Sequence, residues 1–192
     1  GNWAEWAAHR FLLHSPKSLL KSAYKRHVNT HHQFFSHKTL DYHGHRDWRA
    51  LLFPPFAPVL FVVAALPPAL LLGAVWTPNT GYIAMLTMAA YFLMYEGLHT
   101  LSHIEHPLLD RLPLVNTVRR MHVLHHNPDF MHTRNFNLTF PICDALFGTS
   151  DLDKGVIGTL FNGMSDAARK PEDRARVEAQ QSERGRAAAR SL

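Results

Sequence analysis

Fifteen histidines occur in this chain, and ten of them stand in four short groups: His9 and His14; His27, His31 and His32; His99 and His103; His122, His125 and His126. Neutral imidazole binds iron, zinc, copper and nickel in preference to calcium or magnesium, so ten of them argue for two transition ions with about four or five ligands each. The ligands alone leave the metal open. Packing supplies no comparable reason for the groups, because unpartnered buried histidines are costly and a metal removes that cost.

On a helix, residues at i, i+3 and i+4 share a face, so His122, His125 and His126 are expected to converge on a common centre, and His99 and His103 to act likewise. His9 and His14 are five residues apart, as are His27 and His32, which is roughly 140° round an ideal helix. Those two groups are therefore expected to serve different metals or to lie at helix ends. Glu5, four residues before His9, is placed to orient that ligand through its distal ring nitrogen. Asn135 and Asp144 are candidates for the same duty near the fourth group. No catalytic residue apart from the ligands is expected, and His37, His43, His45, His106 and His132 read as ordinary hydrogen-bonded histidines.

The elements that must hold these groups are apolar. Leu51 to Trp76 and Gly81 to Leu98 contain no Lys, Arg or Asp and a single Glu, Glu96. Each is long enough to cross a hydrocarbon core of about 30 Å as a helix. Pro67 and Pro68 should bend the first and allow a re-entrant pair of half-helices, and Thr77 to Gly81 reads as the turn. A hairpin of two spans returns both ends to one membrane face, so the paired histidine groups meet there. The fold class expected is all-α: an integral-membrane helical domain with a transmembrane helical hairpin and a cytosol-facing, histidine-rich metal cap. Residues 1–164 would form that domain. Residues 165–192, rich in Ala, Arg, Glu and Gln with no aromatic, would form a charged, flexible tail or a surface helix.

The net charge of +5 would suit a nucleic-acid binder if the cations formed one patch. Instead Lys17, Lys21, Lys25, Arg26, Lys38, Arg46 and Arg49 precede the first apolar stretch, Arg111, Arg119 and Arg120 follow the second, and the connector has none. That is the positive-inside pattern, which places the histidines on the cytosolic face and excludes a nucleic-acid partner. A single cysteine, Cys143, excludes a disulfide framework and a cysteine-ligated iron–sulfur cluster, so electrons must come from a partner. The start at Gly1 reads as a truncation with upstream spans missing. The soluble di-iron bundles need two Glu-x-x-His motifs, and only Glu96 to His99 is present.

From Glu5 to about Asp151 the chain resembles the fatty acid hydroxylase / sterol desaturase superfamily of integral-membrane, non-haem metal enzymes. The resemblance is carried by His9-Arg10-Phe11-Leu12-Leu13-His14, His27-Val28-Asn29-Thr30-His31-His32, His99-Thr100-Leu101-Ser102-His103 and His122-Val123-Leu124-His125-His126, with Asn135 to Pro141 and Leu146-Phe147-Gly148-Thr149 behind them. It departs from the family in a His27 to His31 spacing one residue longer than usual and in lacking helices before the first group. The resemblance implies that the ten histidines hold two iron ions, with zinc as an alternative in purified protein, and that dioxygen is co-substrate. It also implies a lipid substrate entering from the bilayer and an electron donor, either a b-type cytochrome or a ferredoxin with its reductase. Hydroxylation of a lipid C–H bond is the leading reading, desaturation uses the same ligand set, and a non-redox histidine-rich metal-binding membrane protein is the alternative.

Overall fold

The apolar stretches form two long helices, and every other element gathers at the end where these helices begin and finish. In the computed structural model, residues 1–17, 20–40 and 42–190 are described. Their order is α1 (Asn2–Ala8), a π-helical turn (His9–Leu13), α2 (Lys21–Tyr24), a second π-helical stretch (Lys25–His31), α3 (His32–Phe34), α4 (Trp48–Leu51), α5 (Ala57–Val75), α6 (Pro78–Ser102), α7 (Val115–His125), α8 (Ile142–Leu146), α9 (Gly155–Leu160) and α10 (Pro171–Arg190). Short 3-10 turns precede α4 and α7. The fold is all-α, with isolated bridges and no strand among the described residues.

Among the described residues, α5 is the one helix long and apolar enough to cross a membrane. Its 19 residues would extend about 28 Å, close to the thickness of the hydrocarbon core. It runs unbroken through Pro67 and Pro68 rather than as two half-helices. The two prolines are consecutive, so their lost donors fall within a single turn and leave the helical bonds on either side in place. The turn into α6 is shorter than expected. Pro78 already occupies the first helical position, where its missing N–H costs nothing, and the Thr77 hydroxyl accepts from the Thr80 N–H.

The two helices approach in antiparallel order. Phe61 packs on Phe92 with ring centroids 4.6 Å apart, while Gly73 faces Gly81 near the turn. A side chain at Gly81 would come within 2.7 Å of the Ala69 carbonyl, so glycine permits the close approach. Across the cap, Trp6, Phe136 and Cys143 form one small apolar cluster, and Phe35, Leu40 and Leu51 form another. Between these two clusters lie the histidines.

Two polar features differ from the expectation. Arg119 and Arg120 are not surface cations, because both are buried and paired, Arg119 with Asp110 and Arg120 with Asp151. The stretch after residue 164 contains the expected helix, but it is docked rather than free. The α10 helix docks through polar contacts: Asp173 is fully buried against Arg134, and Gln180 exchanges hydrogen bonds with Asn127 at 2.8 and 3.1 Å. Residues 191–192 lie outside the described residues.

Candidate metal centre

All ten clustered histidines are buried, and they divide into two sets. The donor atoms of His9, His14, His27, His32 and His125 lie within 4.8 Å of one another, as do those of His31, His99, His103 and His122. His126 joins the second set at its edge, with its Nε2 3.0 Å from that of His122.

The division differs from the one read off helical spacing, and helix phase explains it. His9 and His14 serve the same set because the turn between them is π-helical: the His14 N–H reaches the His9 carbonyl at 3.0 Å, an i to i+5 bond. His32 bonds back to the His27 carbonyl in the same way. The wider turn carries residues five apart onto one side, which an α-helix would not do. Conversely, α7 does not send its three histidines to one centre. His122 and His126 are 40° apart around the helix, while His125 sits about 100° from His126, so it points to the other set. Neighbouring His31 and His32 separate likewise.

Five rings have their orientation set by the backbone. His9 Nδ1–H donates to the Phe136 carbonyl at 2.5 Å, His31 to Ala50 at 2.9 Å, His103 to Leu40 at 2.8 Å, His125 to Arg134 at 2.8 Å, and His126 to Phe35. With the proton on Nδ1, the Nε2 lone pair is free to ligate. These lone pairs face each other. The Nε2 atoms of His9, His14 and His27 form a triangle with sides of 2.9, 3.0 and 3.2 Å, and that of His125 stands 2.9 Å from His14. In the second set His122 Nε2 lies 2.9 Å from His103 and 3.0 Å from His126. A ring nitrogen has one proton at most, so His14 and His122 cannot satisfy all these neighbours by donation. A cation can. Ligands at right angles around an ion with bonds of roughly 2.1 Å stand about 3.0 Å apart, whereas tetrahedral ligands stand about 3.4 Å apart. The separations are those of donors that can share one ion in each set.

Glu5, Asn135 and Asp144 do not touch the imidazoles, which corrects the role expected of them. All three hold the loop from Arg134 to Thr139, whose carbonyls in turn hold His125 and His9. The Asp144 carboxylate accepts the Phe136 and Asn137 N–H groups at 2.9 and 2.7 Å. Glu5 accepts the Thr139 N–H at 3.0 Å and also that of Leu138. Its second oxygen accepts the hydroxyls of Tyr91 and Thr139, both at 2.5 Å. Asn135, in left-handed conformation with φ 58°, donates to Asp151 at 3.0 Å. Spacing along one helix could not reveal this, because the acceptors of the Nδ1 protons are backbone oxygens that no residue type marks. Tyr91, Arg120 and Asp151 were likewise missed. None of His37, His43, His45, His106 and His132 supplies a donor to either set, although the exposed His132 ring lies 5.5 Å from that of His14.

Burial drives the clustered histidines toward the neutral form. It lowers His9 from the ordinary 6.5 to about 4, and it holds His27 and His125 well below that range, with neighbouring imidazoles adding to the effect. The unfolded chain thus binds more protons below pH 6.5, so stability is full above that value and falls as pH drops toward 4. His14, His32 and His122 bury Nδ1 atoms without a partner and offer an added proton no acceptor. Metal-stripped protein is expected to show a markedly lower unfolding temperature at about pH 5 than at about pH 7.5, measured by thermal denaturation. An unchanged midpoint would contradict neutral burial.

Residues 2–149 match the sequence model of the fatty acid hydroxylase family, a span that holds all ten clustered histidines and stops short of α9 and α10. No curated protein and no solved structure shows significant similarity to the chain.

Proposed function

This chain belongs to the fatty acid hydroxylase family, and from that premise we propose that it is a membrane-bound di-iron oxygenase that hydroxylates a C–H bond of a lipid. The observation that carries the reading is the convergence of buried, Nδ1-anchored histidines into two adjoining donor sets at one end of the apolar helices. Two bound irons would supply activation of dioxygen, with electrons from a b-type cytochrome or from a ferredoxin and its reductase. An external donor is in keeping with Cys143, the single cysteine, being buried in the apolar cluster with Trp6 and Phe136 and supplying no donor to either set.

The chain's own work is positioning and shielding. His9, His14, His27, His32 and His125 would hold one ion, and His31, His99, His103, His122 and His126 the other. The carbonyls of Phe136, Arg134, Ala50, Leu40 and Phe35 keep the rings turned inward. Phe136 and Phe35, both fully buried, pack directly on His9 and His103 and keep water from the donors. In this reading α5 and α6 form the transmembrane hairpin, and the lipid reaches the site sideways from the bilayer. The cations before α5 set the site on the cytosolic face.

The test is elemental analysis of detergent-purified protein beside a His122→Ala/His125→Ala/His126→Ala triple variant. About two ions per chain are expected in the wild type, one for each donor set, with a sharp loss in the variant. Iron-loaded membranes supplied with reductase should then yield an oxidised lipid. Fewer than one ion per chain in folded protein, or no oxygen-dependent product, would overturn the reading.

A further inference from the structure

We propose that α1 and α8 form a ledge sunk into the headgroup and acyl boundary of the leaflet around the hairpin, so that the protein touches lipid through this cap face as well as through α5 and α6. The inference rests on the reading of α5 and α6 as a membrane hairpin.

Depth is the first observation. Phe61 lies four residues into α5, about 6 Å inside the apolar span, and its ring meets that of Phe92. Tyr91, the neighbour of Phe92, is therefore at a similar level. The start of the chain is fastened there: Gly1 packs on the Tyr91 ring, the Tyr91 hydroxyl donates to Glu5, and the Asn2 side chain reaches both Tyr91 and the Phe140 carbonyl. Amphipathic helices rest about 5–10 Å into that boundary, which is where these bonds hold α1.

Surface chemistry is the second. Trp3, Phe11 and Leu146 are 64%, 54% and 64% exposed, and Phe147 is half exposed. Phe11 and Phe147 are one surface, because the Trp6 ring stands between them at centroid distances of 5.7 and 4.6 Å, and Leu146 is the chain neighbour of Phe147. The Arg10 guanidinium lies over Trp6 and Phe11 at 5.1 and 5.3 Å, an apolar stem on aromatic surface with a charged head free to reach phosphate. Charge is the third. Residues 6–40 carry six cations and no acidic residue, and Glu5 just before them is turned inward. Isolated apolar residues need no partner, but a joined aromatic pair fastened to a membrane helix, with Arg10 lying over it and a run of cations after it, matches an anionic leaflet.

The test places an environment-sensitive fluorophore at Phe11→Cys or Leu146→Cys in a Cys143→Ser background, in the metal-loaded full chain, with Leu70→Cys on α5 as reference. Proteoliposomes of phosphatidylcholine and phosphatidylglycerol are titrated with lipids carrying a shallow nitroxide, and separately with iodide. The expected result is nitroxide quenching at positions 11 and 146 several-fold stronger than iodide quenching, with unchanged metal content. Iodide quenching alone would overturn the ledge, and so would protection from both quenchers, which would mean that a protein surface covers it. Failure of nitroxide to quench at Leu70 would instead overturn the hairpin reading.

Discussion

Exchange of His125 for alanine is expected to abolish product formation while leaving membrane insertion intact. The ring is fully buried, its Nε2 stands 2.9 Å from that of His14, and its Nδ1–H is held by the Arg134 carbonyl at 2.8 Å. Alanine removes one of the five donors of its set and leaves the Arg134 carbonyl without its partner. Loss of an outer partner of a ligand typically costs about 10–100-fold in affinity or activity, so loss of the ligand itself should exceed roughly a hundredfold. The variant should insert normally because α5 and α6 make no contact that depends on this ring. Product yield per inserted chain, with metal content beside it, decides the matter. Normal turnover would remove His125 from the centre.

The largest effect on stability is expected from Arg120→Ala. Asp151 is wholly buried and receives two parallel N–H bonds from Arg120, each 2.9 Å long. Removing one partner of a buried pair costs about 3–5 kcal/mol, because the remaining charge stays desolvated without compensation. Asp151 would keep Asn135 at 3.0 Å and Arg169 at 3.5 Å, which puts the loss near the lower end, about 3 kcal/mol. Asn135 connects this pair to the loop that orients His125 and His9, so metal content should fall along with stability. Denaturant unfolding in detergent measures the first and elemental analysis the second. A loss below about 1 kcal/mol, the scale of an exposed pair, would show that the pair does not anchor the cap.

The histidines that meet in the structure were legible in the sequence because residue type and clustering are local signals, and the apolar stretches because their length matches a bilayer. Assignment of each histidine to a set was not legible. It depends on helix phase, and the π-helical turns at His9–Leu13 and Lys25–His31 shift that phase without any residue that announces them. Glu5 shows a second limit. The spacing to His9 proposed a partner one turn away on the same helix, whereas the carboxylate turns to backbone more than 130 residues downstream. The stretch after residue 164 shows a third, since an apolar count cannot register a helix docked by Asp173 and Gln180 through polar bonds.

One peptide bond separates His31 from His32, yet they belong to different donor sets, and α7 likewise feeds both. The two sets are therefore one receptor with a shared backbone rather than two vessels filled in turn. If each set holds an ion, a change that displaces the turn carrying His31 and His32 should lower the metal content of both sets together rather than of one. A single backbone fault at that point would then disable the whole centre, and no half-equipped molecule would survive it.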